Sequence, residues 1–208
     1  MKLSVIVPSL TGEVPASVLA LGDAIELVVV RGVSPVSAAR NEGLRRATGD
    51  YVGWIDADDD ISPDWLPEIF QALKDEPDIV SFDALVDWVD GSGRASYVLD
   101  GRPIGQMWRR VFRRSVFDGF RFEGAVHEDW RIQCELPQGL RTVHIAKPLY
   151  CYHRSAKGLS QHRDVWAEIR ALWGLLLICR SRYMFCGICE RVWDLAKTPA
   201  RRMFRRCL

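Results

Sequence analysis

The stretch Tyr51-Val52-Gly53-Trp54-Ile55-Asp56-Ala57-Asp58-Asp59-Asp60 joins a short apolar run to four carboxylates within five residues. Residues 51–55 predict a buried strand, because β-branched and aromatic side chains pack well on a pleated surface. The carboxylates must leave the sheet at its carboxyl edge, where open α/β sheets bind their ligands. So many like charges require a cationic partner, and a hard divalent cation that carries phosphate oxygens meets that requirement.

A competing interpretation treats Asp56, Asp58 and Asp59 as acids that complement the dipole of the helix behind them. One acid would suffice for that purpose. Several adjacent acids at the end of a strand therefore favour the metal site over the helix cap.

Strands and helices alternate along the first part of the chain. Unbroken apolar runs, typical of parallel strands covered on both faces, predict strands at residues 3–7, 25–30, 51–55 and 78–82. Helical patterns between them predict helices at residues 14–21, 34–47 and from 62 to just before Pro77, the last two beginning at Ser-Pro pairs. This alternation predicts an α/β protein with a mostly parallel sheet and flanking helices.

The pattern changes after residue 83. A Gly-rich turn predicts a hairpin over residues 84–99, and a helix over 126–136 and a strand over 141–150 follow. Wide apolar stripes predict C-terminal helices that need a partner surface: the body, a second subunit or a membrane. The domain organisation predicted from this is a catalytic unit at residues 1–155 and a helical extension at 156–208.

Composition limits the possible functions. The chain has 208 residues, is 48% hydrophobic and carries a net charge of +1, which gives no general argument for nucleic-acid binding. Neither a GxGxxG fingerprint nor a P-loop is present. Six cysteines without a secretory signal predict reduced thiols and a cytoplasmic protein. From Arg191 onward, five Arg and Lys197 against Asp194 give +5, which suggests an anionic partner such as the inner membrane face, or a solvated tail.

Three further segments allow two interpretations each. The arginines of residues 108–114 either face a phosphate or acceptor, or form a solvated face with Trp and Phe packed inward; the second is favoured. Glu128 and Asp129 contain a candidate general base, although acids at a helix start are common. His153 and Arg154 could stabilise a leaving diphosphate, although a single His is more often structural.

Several of these segments, taken together and in this order, resemble the family 2 glycosyltransferases of GT-A fold. The resemblance covers about residues 3–154 and rests on Ser4-Val5-Ile6-Val7-Pro8, Ala39-Arg40-Asn41-Glu42-Gly43-Leu44, the segment 49–59, Glu128-Asp129-Trp130, and Pro148-Leu149-Tyr150 with Tyr152-His153-Arg154. The pairing of the Arg-Asn-x-Gly-Leu segment with Asp-Ala-Asp-Asp is the more specific part.

The resemblance implies a nucleotide-diphosphate sugar donor, Mg²⁺ or Mn²⁺, and inversion at the anomeric carbon. It implies metal ligands at Asp58 and Asp56 and a catalytic base at Asp129. We further expect Glu128 to orient the acceptor. The expected donor-binding residues are Pro8, Arg40, Asn41, Asp56, Asp59, His153 and Arg154. Such a metal neutralises the leaving diphosphate, while the base deprotonates an acceptor hydroxyl held in line with the anomeric carbon.

The sequence departs from the family at the second strand. Family members usually follow this strand with an Asp-Asp-Gly-Ser-like segment, whose first acid contacts the nucleotide base. Here Arg31 stands in that place, so the nucleotide base of the donor stays open.

We therefore predict a metal-dependent inverting glycosyltransferase that acts on a saccharide or lipid-linked acceptor, in surface polysaccharide or glycolipid synthesis. The alternative from another class is a non-catalytic GT-A-like binding module whose helical tail docks on a membrane or partner. A nucleotidyltransferase shares the metal and the sheet, and is the third possibility.

Overall fold

One mixed β-sheet with flanking helices forms the body of the chain, in a computed structural model that describes residues 1–90, 93–101, 106–124, 128–137, 139–155, 165–179, 188–189 and 191–192. The strands are β1 (Leu3–Ser9), β2 (Glu26–Arg31), β3 (Tyr51–Trp54), β4 (Asp60–Ile61), β5 (Ile79–Asp90), β6 (Gly93–Leu99), β7 (Arg110–Arg113) and β8 (Thr142–Ser155). The α-helices are α1 (Ala16–Leu19), α2 (Val36–Arg46), α3 (Trp65–Leu73), α4 (Glu128–Glu135) and α5 (Val165–Ile178). Short 3-10 helices span Gly22–Ala24, Met107–Arg109 and Arg114–Phe117.

The predicted order of strand, helix, strand, helix, strand, helix, strand is found up to β5, except that the unpredicted short strand β4 lies between β3 and α3. The two Ser-Pro helix starts, however, lie earlier than the helices themselves. Helix α2 begins at Val36 and α3 at Trp65, and neither has a side-chain cap. The Ser62 hydroxyl instead accepts the N–H of Asp64 at 3.2 Å. The Ser62-Pro63 pair thus forms a turn that leads into α3, because a serine hydroxyl can close such a turn locally.

The sheet order is β2-β1-β3-β7-β5-β8-β4, with β6 paired to β5. Strand β1 pairs in parallel with β2 and β3, and β5 pairs in parallel with β8. The pairs β3–β7, β5–β7, β5–β6 and β4–β8 are antiparallel. The expectation of a mostly parallel sheet is therefore corrected to a mixed sheet.

Strand β7 is the physical reason for that correction. It lies between β3 and β5, with Phe112 opposite both Val52 and Ile79. Val111 and Phe112 are completely buried. A late segment of the chain thus separates two strands that the local pattern predicts to be neighbours.

Strand β3 is the buried centre on which the acidic stretch rests. All four of its residues are buried, and Ile55 continues the chain with an N–H donated to the Ile6 carbonyl at 3.0 Å. The Trp54 ring meets the rings of Phe112, Phe117 and Phe122 edge to face, at centroid distances of 5.2–6.2 Å. Such aromatic contacts add to area burial, so the strand end has a fixed position.

Helix α2 approaches the sheet closely at Gly43. A Cβ at Gly43 would lie 2.3 Å from Ile6 Cγ2 and 3.3 Å from Val30 Cγ2. Both side chains are completely buried and cannot move away without disturbing the sheet.

We expect Gly43→Ala to destabilise the protein by about 1–3 kcal/mol, because overpacking a filled core forces backbone shifts. Chemical denaturation measures this change. The matched control is Gly174→Ala in α5, where a Cβ would meet nothing within 4 Å. There alanine should stabilise by roughly 0.5–1 kcal/mol through helix propensity. Equal effects of the two substitutions would contradict the packing argument.

Glu26, the first residue of β2, joins β2 to the beginning of β1 and to the loop before β3. It accepts hydrogen bonds from Ser4 Oγ (2.5 Å), Thr48 N (2.7 Å), Thr48 Oγ1 (2.6 Å) and Lys2 Nζ (2.9 Å). Burial alone would raise the pKa of Glu26, but these hydrogen bonds outweigh it and lower the pKa from 4.5 to about 2.

Because the pKa of Glu26 is lower in the folded state, its stabilisation is present above about pH 4.5 and is lost as the pH falls toward 2. We expect Glu26→Gln to reduce the stability loss between pH 4.5 and pH 2, measured by thermal unfolding at several pH values. Glu13→Gln, which removes an exposed acid, should keep the wild-type slope.

Helix α5 supplies the described part of the predicted C-terminal extension. Leu172 and Leu175 are buried in a cluster with Cys134 of α4, whereas Trp173 and Leu177 are 57% and 87% exposed. None of the helices in the described ranges is long and apolar enough to cross a membrane. The boundary at residue 155 stays a prediction, and the basic end from residue 193 lies outside the described residues.

Candidate active site

The four residues 56–59, which we name the acid turn, leave the sheet directly after β3 and Ile55. The Asp59 N–H donates to the Asp56 carbonyl at 3.2 Å, which closes the turn. Asp58 is exposed, and the Asp56 side chain is 29% exposed. Asp56 and Asp58 are therefore accessible to a cation, while the metal site itself stays a prediction.

Asp59 has a different environment, because it is only 2% exposed. It accepts hydrogen bonds from the Tyr150 hydroxyl at 2.7 Å and from the His153 N–H at 2.8 Å. Burial and the neighbouring Asp56 and Asp58 charges raise the pKa of Asp59 to about 8, although its two hydrogen bonds act in the opposite direction. The described contacts of Asp59 join the acid turn to β8, so Asp59 stabilises the position of the turn.

Tyr150 is the site residue that the sequence interpretation missed as an individual. It is 1% exposed, and its hydroxyl also accepts the Asp56 N–H at 3.1 Å. Burial and the nearby Asp56 and Asp59 raise its pKa well above the ordinary value. The only sequence signal was its place in the apolar Pro148-Leu149-Tyr150 segment, which indicates packing rather than a polar role.

Arg40 and His153 lie beside the acid turn, as expected. Arg40 is 4% exposed, and its Nη2 lies 3.9 Å from Asp56 Oδ1. The His153 ring lies between Asp60, 3.1 Å from Nε2, and Asp87, 3.6 Å from Nδ1. The buried guanidinium of Arg40 thus offsets part of the negative charge of the acid turn.

Three predicted donor-binding residues have less direct placements. Pro8 is half-buried in β1, opposite Val30. Arg154 lies in β8 opposite Trp88, but its side chain is outside the described residues. Asn41 donates from Nδ2 to the Phe122 carbonyl at 2.8 Å, and its Oδ1 accepts the Phe122 N–H at 2.9 Å. The described contacts of Asn41 are therefore structural and hold the segment that leads toward α4.

We expect Asn41→Ala to destabilise the protein by about 2–4 kcal/mol, since it leaves the backbone N–H and carbonyl of Phe122 without partners. Chemical denaturation measures the loss. Glu42→Ala, which removes an exposed ion pair with Arg45 on the same helix, is the control and should change stability by less than about 1 kcal/mol. Similar losses in both variants would argue against the role of the Phe122 contact.

Helix α4 begins with the two candidate acids Glu128 and Asp129. Asp129 is half-buried, and the Glu128 side chain is outside the described residues. Ile132, one turn after Asp129, is 1% exposed and belongs to the same buried cluster as Trp54 and Phe122. Residues three apart share a helix face, so Asp129 lies on the same face of α4 as Ile132. Through Ile132, that face packs in the cluster that contains Trp54, the last residue of β3.

The basic segment 108–114 is only partly as predicted. Trp108 and Phe112 pack inward, which is confirmed. The prediction of a solvated face is wrong for Arg109 and Arg110, which are only 1% and 7% exposed. Arg109 donates to the carbonyls of Phe82 and Gly101, each at 2.9 Å. These two carbonyls and Asp83 Oδ1, which lies 3.5 Å from Nη2, together make the burial of this guanidinium possible.

The donor atoms available for a metal are carboxylate oxygens. Within the described ranges, no group of three or more His, Cys, Asp and Glu side chains is arranged to hold a metal ion. Mg²⁺ and Mn²⁺ prefer oxygen, and Mg²⁺ is commonly bound by one or two carboxylates together with substrate phosphates and water. The accessible Asp56 and Asp58 fit that mode and do not fit a complete protein cage.

Comparison with known proteins gives a consistent family assignment. The family model described as Glycosyl transferase family 2 matches residues 13–124, which are more than half of the 208 residues. Uncharacterized glycosyltransferase YibD of Escherichia coli (strain K12) is 42% identical over 158 residues, which cover 62% of this chain and 45% of that protein. Uncharacterized glycosyltransferase EpsJ of Bacillus subtilis (strain 168) is 26% identical over 185 residues, covering 74% and 52%. The chain thus spans about half the length of these curated relatives.

Solved structures with the same fold include the S. aureus TarS 1-349 complex with UDP-GlcNAc, at a TM-score of 0.62 and 14% identity. The match covers 95% of this chain and 72% of that one. Glucosyl-3-phosphoglycerate synthase from Mycobacterium tuberculosis, in complex with Mg²⁺ and UDP, matches at a TM-score of 0.58 and 15% identity, covering 86% and 79%. The predicted GT-A-like α/β fold is confirmed.

Proposed function

The chain belongs to glycosyl transferase family 2, and from this membership we propose that it moves a sugar from a nucleotide-diphosphate sugar to an acceptor hydroxyl. The observation that carries the proposal is the acid turn, which presents Asp56 and Asp58 to solvent at the end of β3 with Arg40 beside them. The bound UDP-GlcNAc and UDP of the structural neighbours support a nucleotide-sugar donor.

In this proposal, Asp58 and Asp56 hold Mg²⁺ or Mn²⁺. The metal, when bound, supplies positive charge that stabilises the leaving diphosphate. The Arg40 guanidinium, 3.9 Å from Asp56 Oδ1, attracts that carboxylate and helps to hold it in place. The hydrogen bonds of Asp59 with Tyr150 and His153 fix the position of the acid turn relative to β8. In this proposal His153 and Arg154 contact the diphosphate, and Pro8 contacts the donor.

Asp129 is the proposed base, and Glu128 orients the acceptor. The Asp129 carboxylate takes the proton of the acceptor hydroxyl as that oxygen attacks the anomeric carbon from the side opposite the diphosphate. The attack forms the new glycosidic bond, breaks the bond to the diphosphate and inverts the anomeric configuration. The start of a rigid helix suits this role, since a base must lie within hydrogen-bond reach of its proton.

Calorimetric titration with a panel of nucleotide-sugars and Mn²⁺ tests the proposal against its rivals. A glycosyltransferase should bind one or a few members with metal-dependent affinity. Silence across the panel would favour the non-catalytic module, whereas a nucleotidyltransferase would release pyrophosphate from a nucleoside triphosphate.

For the acceptor, we propose a saccharide or lipid-linked sugar met at an anionic membrane surface, in surface polysaccharide or glycolipid synthesis. Exposed Trp173 and Leu177 on α5 and the +5 sequence from Arg191 onward support this contact. Co-sedimentation with anionic liposomes should fall when residues 191–208 are deleted, and unchanged co-sedimentation would argue against it.

A further inference from the structure

We propose that Tyr150 is a positioning residue, whose hydroxyl holds the acid turn in the shape that binds the metal-diphosphate. The inference rests on the proposed function and adds a residue to it. Tyr150 acts through Asp56 and Asp59 and itself contacts neither metal nor sugar.

The hydroxyl of Tyr150 joins the two ends of the turn. It accepts the Asp56 N–H at 3.1 Å and donates to Asp59 Oδ2 at 2.7 Å. Asp56 and Asp59 are also the ends of the turn's own hydrogen bond, at 3.2 Å. One side-chain oxygen thus fixes the first and last residues of the turn, while Asp58 between them stays exposed and Ala57 packs against the core.

The tyrosine ring has little freedom to move. It is 1% exposed, and its centroid lies 4.6 Å from that of Trp108, which also stacks on Tyr152 at 5.1 Å. The strand that carries it pairs with the chain just beyond the turn, where Ile61 lies opposite Tyr150. The Ser62 N–H then donates to the Leu149 carbonyl at 2.9 Å. The Tyr150 hydroxyl therefore has a fixed position relative to the acid turn.

This arrangement holds closed a turn in which Asp56 and Asp58 repel each other and the Asp59 carboxyl is buried. Without the hydroxyl, the Asp56 N–H and the buried Asp59 oxygen would each lose a partner, and the turn could open. Residues that orient metal ligands commonly change metal affinity by about 10–100-fold when they are mutated. Loss of the hydroxyl should therefore reduce the metal-dependent part of diphosphate binding specifically.

The test compares Tyr150→Phe with Tyr152→Phe. Tyr152 lies two residues further along β8 and stacks on the same Trp108, and the described contacts include no hydrogen bond from its hydroxyl to the acid turn. Each variant is titrated with UDP in the presence of Mn²⁺ and again with chelator. Hydrogen exchange by mass spectrometry reports the amides of residues 55–61.

We expect Tyr150→Phe to weaken Mn²⁺-dependent UDP binding by about 10–100-fold, to leave metal-free UDP binding within about twofold, and to speed exchange of the Asp56 amide. Tyr152→Phe should match the wild type in all three. Wild-type Mn²⁺-dependent binding by Tyr150→Phe would overturn the inference, as would equal losses with and without Mn²⁺.

Failure of the proposed function gives a different result. In that case the wild type itself would gain no UDP affinity from Mn²⁺. The exchange measurement then decides the role of Tyr150 alone: faster exchange at Asp56 supports the hold on the turn, and unchanged exchange overturns it.

Discussion

Asp58→Asn is expected to lower donor turnover by about a hundredfold or more, because loss of a metal ligand removes about 3 kcal/mol or more of charge stabilisation at the leaving diphosphate. The substitution preserves the shape of the side chain and removes its charge. Steady-state kinetics at saturating Mn²⁺ measure the rate, and calorimetry measures the accompanying loss of Mn²⁺-dependent donor affinity.

The folded protein should tolerate this change. Asp58 is exposed, and surface substitutions of this kind usually change stability by about 0.5 kcal/mol or less. Removing one of three neighbouring carboxylates also reduces their repulsion. The matched control is Asp64→Asn, an exposed aspartate before α3, which should leave turnover and metal dependence unchanged. An Asp58→Asn enzyme with wild-type turnover would remove Asp58 from the metal site.

Asp129→Asn is expected to reduce the rate of transfer by about 10²–10⁴-fold, which is the usual contribution of a general base. Donor binding should change by no more than about threefold, since the base acts on the acceptor. This combination, a lost rate with a retained donor affinity, separates a base from a donor-binding residue. Transfer kinetics and calorimetry on the same preparation measure both quantities.

The control for Asp129 is Glu135→Gln on the same helix. Glu135 pairs with Arg131 one turn earlier, so its loss tests whether a weakened α4 is enough to lower the rate. Wild-type kinetics in Glu135→Gln, beside a large loss in Asp129→Asn, would assign the effect to the Asp129 carboxylate. Equal losses would assign it to the helix instead.

Local sequence pattern was sufficient for the first half of the fold. The apolar runs that became β1, β2 and β3, and the small residues of α2, are determined by neighbours in the chain. The accessible acids at the end of β3 were also predictable, because an apolar strand cannot continue into a run of aspartates.

The contacts that were not predictable are those between distant residues. Strand β7 enters between β3 and β5 from a segment that shows only as basic and aromatic. Arg109 is buried because the Phe82 carbonyl lies beside it, 27 residues away in sequence. The Asp56–Tyr150 contact spans 94 residues, and nothing in the sequence around Tyr150 indicates that its hydroxyl meets an acid turn.

The site was predictable as a set of residue types and less so as a set of roles. Asp56, Asp59, Arg40 and His153 do lie together, since the carboxyl end of β3 and the far part of β8 meet at β4. Asn41 matches the family pattern equally well, but its described contacts support Phe122. A motif indicates which residues are important to the family. Only the contacts in the folded chain show which of them, such as Asn41, stabilise the structure.

The most direct test of the account is release of nucleoside diphosphate from a panel of nucleotide-sugars by the wild-type chain, followed by mass spectrometry with Mn²⁺ and with chelator. A glycosyltransferase should release nucleoside diphosphate from one or a few donors, and the release should depend on Mn²⁺ and increase with a saccharide or lipid-linked acceptor. The same release with chelator as with Mn²⁺, or no release from any donor on the panel, would contradict it.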